Sequence, residues 1–89
     1  MGFDISTVKT QTEFRKSGDR RAEVSYRIDL KNAGSEDADV ELRERMFTAW
    51  EVVRSSSKSR KLDSRTLGFD VSVPAGGSKT VEYRVRLDW

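Results

Sequence analysis

The residues able to do chemistry in this 89-residue chain are few, and the two most versatile are missing: it has no His and no Cys. That removes the commonest general base, the usual thiol nucleophile and the usual transition-metal ligands. Hydrolytic triads of the ordinary kind are excluded with them. Paired carboxylates could still do acid–base work, but they must converge in a cleft, and most acids here lie on the outward phase of strand patterns. No enzymatic activity is expected. Glu44 differs from the other acids because it occupies the apolar phase between Leu42 and Met46. A buried carboxylate must be paired, hydrogen-bonded or protonated. Glu44 therefore reads either as a perturbed acid in a pocket, or as a side chain rotated outward by a bulge or salt-bridged to an Arg at a sheet edge.

The remaining candidates concern binding. Glu36, Asp37 and Asp39 offer oxygen ligands, but they lack the alternate spacing and the distal bidentate Glu of a calcium loop, and read as a solvated turn. Gly76 and Gly77 are not followed by Lys-Ser/Thr, so a hairpin turn explains them better than a phosphate cradle. No metal or cofactor is expected. Arg54, Lys58, Arg60, Lys61 and Arg65, set against Asp63 alone, form the only local charge bias, a weak contact for an anion or an acidic partner. Nucleic-acid sites add stacking aromatics, and none falls between Val53 and Thr66, so no specific nucleic-acid binding is expected. Trp50 and Trp89 are the residue pair for a sugar-stacking platform; both fall in the inward phase, which places them in the core. Over the whole chain 17 basic residues face 15 acidic ones, a net of +2, which steers a polyanion only weakly.

These side chains are carried by strands. Val81, Tyr83, Val85, Leu87 and Trp89 alternate with Thr80, Glu82, Arg84, Arg86 and Asp88, the period-two pattern of a strand packed on one face. Val24, Tyr26, Ile28 and Leu30 repeat it, as do Leu67, Phe69, Val71 and Val73. Val40 and Leu42 begin a third strand whose even phase runs through Met46 to Trp50 and Val52; helix is the rival there, because Glu41 to Met46 are good helix formers. The first strand starts with Phe3 and Ile5 in one phase and continues with Val8, Thr10, Thr12 and Phe14 in the other. This predicts a bulge or break near Ser6 and Thr7, where an edge strand crosses between sheets. Turns are expected at Ser17–Asp19, at Asn32–Ser35 with Gly34 available for a left-handed conformation, and at Pro74–Gly77. Residues 54–65 are polar and serine-rich and read as a long mobile loop.

Five or six such strands with no convincing helix indicate an all-β fold, an antiparallel two-sheet sandwich. Immunoglobulin-like topology leads; without cysteines to bridge the sheets, the type is nearer to fibronectin-III-like modules. Residues 1–89 make one domain with one modest core. Met1 stands directly before a strand with no lead-in, so the segment reads as cut from a longer protein, and no apolar run is long enough for membrane insertion.

The runs Tyr26–Asn32 (Tyr-Arg-Ile-Asp-Leu-Lys-Asn), Val40–Glu44, Trp50–Ser56, Phe69–Gly76 and Thr80–Val85, with Trp89, resemble the end of a family of conserved bacterial proteins of unknown function, sometimes called mucoidy-inhibitor-like. In that family a coiled-coil region and β-rich segments precede a C-terminal β-sandwich. The resemblance covers nearly the whole chain but lies in core and turn positions. It implies architecture and a C-terminal origin, and transfers no catalytic residue. The expected function is a noncatalytic structural or protein-interaction module, monomeric in isolation, whose partners are other segments of the parent or another protein. The alternative is a carbohydrate- or anionic-polymer-binding module. Long first and last strands, whose edges could pair with a neighbour, favour the former.

Overall fold

The structure, a computed structural model, describes residues 4–89. Seven strands follow one another: β1 (Ile5–Gly18), β2 (Arg21–Asn32), β3 (Ala38–Arg45), β4 (Ala49–Ser55), β5 (Ser59–Asp63), β6 (Thr66–Val73) and β7 (Ser78–Asp88). They form two antiparallel sheets, in the orders β1-β2-β7-β4 and β3-β6-β5, packed together as a sandwich. The segment Glu41–Met46 is strand up to Arg45, so the helical rival fails there. No helix among the described residues is long and apolar enough to cross a membrane.

The clean alternations place the core where they point. Val24, Ile28 and Leu30 of β2, Leu67, Phe69, Val71 and Val73 of β6, and Val81, Tyr83, Val85 and Leu87 of β7 are all buried. These are the inner strands of their sheets. A strand flanked on both sides and covered on one face keeps little of that face in water, which is why β-branched and aromatic residues concentrate there. Phe69 is 0% exposed, and its ring centroid lies 5.2 Å from that of Tyr83, which lies 5.4 Å from Tyr26.

Edge strands depart from the expectation. β1 does not cross between sheets; it pairs with β2 along its length, and its register shifts lie between Gln11 and Glu13 and between Lys16 and Gly18 rather than at Ser6 and Thr7. Lys9 pairs with Ile28, so Ile5, Thr7 and Lys9 share the inner face while Val8 and Thr10 sit outside. Val8 and Phe14 are exposed. An edge strand has partners on one side only, so its apolar phase is a weak guide to its register. Phe3 lies outside the described residues. The β1–β2 turn is made by Asp19 and Arg20, one residue later than expected.

The continuous third strand is two strands. Its even phase survives, but the chain leaves the three-stranded sheet after Arg45 and enters the four-stranded sheet at Ala49. Met46 plugs the crossing, buried, its N–H donating to the Arg65 carbonyl at 2.6 Å. The expected long loop over 54–65 contains β5, hairpinned to β6. Only Leu62 gives β5 an apolar anchor, and Gly68 makes room for it: a Cβ on Gly68 would come within 2.9 Å of the Leu62 side chain. Asp63 closes the β5–β6 turn by accepting from the Arg65 N–H at 2.8 Å.

Trp89 is the plainest correction, since it lies past the end of β7 and is 52% exposed rather than core. Gly34 does not take a left-handed conformation; Gly76 does, with φ of +66°, at the third position of a turn closed by the Gly77 N–H donating to Pro74 O at 2.9 Å. Positive φ at that position is the type II requirement that favours glycine.

Candidate functional site

The five nominated basic residues do not converge. Arg54, one residue before the end of β4, lines a surface depression of about 300 Å³ together with Thr12, Ser25, Ser55, Ser56 and Glu82. Lys58 sits in the turn between β4 and β5, and Arg65 at the far end of β5. Arg60 is neutralised on the outer face of its sheet, 2.6 Å from Glu41 and 3.1 Å from Asp70. The Lys61 ammonium stands 5.3 Å from the centroid of the Trp50 ring, whose indole N–H donates to the Ser64 carbonyl at 2.9 Å. Strand formation separates this group: side chains of successive residues in β5 point to opposite faces.

Glu44 anchors a semi-buried polar cluster, and its partners came from elsewhere in the chain. The Tyr83 hydroxyl donates to it at 2.7 Å, and the Lys9 ammonium lies 2.6 Å from the same oxygen. Lys9 also stands 4.2 Å over the Tyr26 ring. Burial, then the hydrogen bond to Glu44, pushes the Tyr83 phenol well above its ordinary range, so it remains a donor at any physiological pH. The salt bridge that the apolar-phase position implied is therefore present, with Lys rather than Arg. Lys9 was missed because its face depends on the β1 register. The cluster can hold a charge pair and two aromatic rings in place between the sheets.

The outer faces carry alternating charge. Arg84 pairs with Glu13, and with Glu23 at 2.6 Å, and also donates to Ser25. Arg86 reaches Glu51 at 2.5 Å, while Arg21 reaches Asp88 at 2.6 Å. On the other sheet Arg43 and Arg60 share Glu41. The hydrogen bond from Arg84 lowers the pKa of Glu13, that from Arg43 lowers Glu41, the Arg65 backbone N–H lowers Asp63, and Arg21 lowers Asp88. Depressed folded-state values stabilise the fold above the unfolded carboxylate pKa of about 4 and lose that contribution as pH falls through the depressed values. The thermal midpoint should therefore be flat above about pH 5 and fall below about pH 4, less steeply in high salt because these pairs are exposed. A scan of midpoint against pH at two ionic strengths checks this; a midpoint rising on acidification contradicts it.

Glu36, Asp37 and Asp39 do not gather around a common point. Asp37 accepts from the Ala75 N–H at 2.8 Å and Asp39 from the Ser72 hydroxyl at 2.6 Å, so both tie β3 and the loop before it to the end of β6 and its turn. No group of three or more metal-ligating side chains occurs among the described residues. No protein-family model matches the chain, and no curated protein matches it significantly.

Proposed function

We propose that this chain is a noncatalytic β-sandwich module that presents a binding edge to other protein segments, within a larger bacterial protein of the family whose C-terminal sandwich it resembles. The observation that carries this reading is the free edge of β1. Among the described residues the strand pairs with β2 alone, and from Ile5 to Gln11 its register is regular. The one charge in that stretch, Lys9, is engaged by Glu44. An open, regular edge offers a row of backbone donors and acceptors to an added strand. The other edges are blunted: β4 shifts register between Val52 and Arg54, β5 is five residues long, and β3 exposes Asp39, Glu41, Arg43 and Arg45. β7, the other strand whose length suggested a docking edge, is flanked by β2 and β4 and has no free edge.

Within this reading the module is a variant of the immunoglobulin and fibronectin-III sandwiches, held without a disulfide because the chain has no Cys. The four-plus-three division and the β1-β2 and β3-β6 pairs agree with the immunoglobulin constant arrangement, whereas β5 and β7 stand in each other's places. Carbohydrate stacking is the weaker alternative, since Trp50 is half-buried beneath Lys61 while Trp89 stands apart at the end of β7. In isolation the module is monomeric. Amide hydrogen exchange tests the reading. The outward-facing amides of Ile5–Gln11 should exchange fast in the isolated chain and become protected in the longer parent polypeptide. Equal, fast exchange in both would overturn it.

A further inference from the structure

The molecule measures 48 × 25 × 18 Å, and its two poles differ in charge and polarity. At one pole the β1–β2 turn, the β3–β4 crossing, the β5–β6 turn and the end of β7 come together. The Trp89 N–H donates to the Arg20 carbonyl at 3.0 Å, the Thr48 hydroxyl to the Asp88 carbonyl at 2.5 Å, and Met46 joins Arg65 as described. Phe47, in the β3–β4 crossing, is 82% exposed, and Trp89, just past the end of β7, is 52% exposed; their chain neighbours Thr48 and Asp88 are hydrogen-bonded. Arg15, Lys16, Arg20, Arg21, Arg45 and Arg65 outnumber Asp19, Glu23, Asp63 and Asp88 there. Among the described residues Lys16, Arg20, Arg45 and Arg65 form no ion pair within 4 Å. At the opposite pole Asp4, Glu36, Asp37 and Asp39 outnumber Lys31 and Lys79.

We propose that the Phe47–Trp89 pole docks on the headgroup layer of an anionic membrane surface, without spanning it. The pole is built of turn tips, which offer an added strand no regular edge to pair with. A lipid headgroup layer deforms around a protruding tip. It takes aromatic rings at the level where water gives way to acyl chain, and its negative potential attracts the surrounding cations. The potential decays within about 10 Å, so the acidic far pole meets it only when the molecule tips toward the surface, which disfavours docking by that end. The contact leaves the β1 edge free and does not rest on the strand-addition reading.

Cosedimentation with vesicles of phosphatidylglycerol and phosphatidylcholine, in a ratio of about three to seven, tests the proposal. Partition onto these vesicles should exceed that onto pure phosphatidylcholine at least tenfold and fall when salt rises from about 0.05 to about 0.5 M. Each lost cation should lower the partition constant about fivefold, so Arg20→Glu with Arg65→Glu should lower it about 25-fold or more. Phe47→Ser should weaken partition about tenfold with the thermal midpoint little changed, because the residue is 82% exposed in the free protein. Glu36→Gln, at the far pole, should not weaken it. Equal binding to neutral vesicles, indifference to Phe47→Ser, or tighter binding to a DNA duplex than to the vesicles would each overturn the proposal.

Discussion

Phe69→Ala should remove about 3 to 5 kcal/mol of stability. A domain of this length has roughly 4 to 13 kcal/mol in total, so the substitution takes a large share of it. Phe69 is 0% exposed, belongs to the middle strand of its sheet, and faces Tyr83 of the opposite sheet with ring centroids 5.2 Å apart. Truncation deletes the transfer free energy of an aromatic ring and leaves a cavity between two sheets whose backbones are fixed by their own ladders and cannot collapse to fill it. The tilted ring contact with Tyr83 is lost as well, and with it part of what holds the Tyr83 hydroxyl on Glu44. Phe69→Leu keeps most of the volume and should cost clearly less. Urea melts of the two variants check the order: a midpoint for Phe69→Ala no lower than that for Phe69→Leu would refute the cavity argument.

Asn32→Asp is expected to cost about as much, in the range of 3 to 5 kcal/mol, for a change of one atom. Asn32 is 1% exposed at the end of β2. Its amide group donates to the Glu36 carbonyl at 2.8 Å and to the Val73 carbonyl at 3.1 Å, and its side-chain oxygen accepts from the Gly34 N–H at 2.9 Å. Its own backbone N–H donates to Gly77 O at 2.9 Å. One residue thus joins the four-stranded sheet to the last residue of β6 and to both loops at that pole. A carboxylate keeps the acceptor but replaces two donors with lone pairs facing two carbonyl oxygens, in a place water does not reach. Folding then requires the acid to hold its proton, so its folded-state pKa is raised, and the variant should gain stability as pH falls from 7 to 5. The parent chain should stay flat over that interval. A variant whose stability does not change between pH 7 and 5 would contradict this account of Asn32.

Much of the fold was legible in the sequence, and the reason is physical. The all-β class, the faces of β2, β6 and β7 and the turn at Pro74–Gly77 follow from period-two burial and backbone chemistry, which are local properties of the chain. Where a strand is flanked on both sides and covered by a second sheet, alternation must agree with burial, and in these strands it does except around Ser25 of β2, which is buried on the outer face beside Arg84 while Tyr26 is only partly buried. Tertiary structure decided what local pattern left open. The unbroken phase from Val40 to Val52 is compatible with one strand or two, and only the packing of two sheets divides it at Met46. β5 has a single apolar anchor and exists because Gly68 on β6 leaves space for Leu62. β1 took the opposite phase from the one its valine and threonines suggested, because an edge strand lined by polar residues gains little from either register until a partner such as Glu44 fixes Lys9. The five basic residues looked like one site while they lay in a loop; pairing of β4 with β7 and of β5 with β6 set them on different sheets, faces and ends. The sequence by itself determined which faces avoid water, whereas which strands meet, and so which charges stand together, was decided by contacts between residues far apart in the chain.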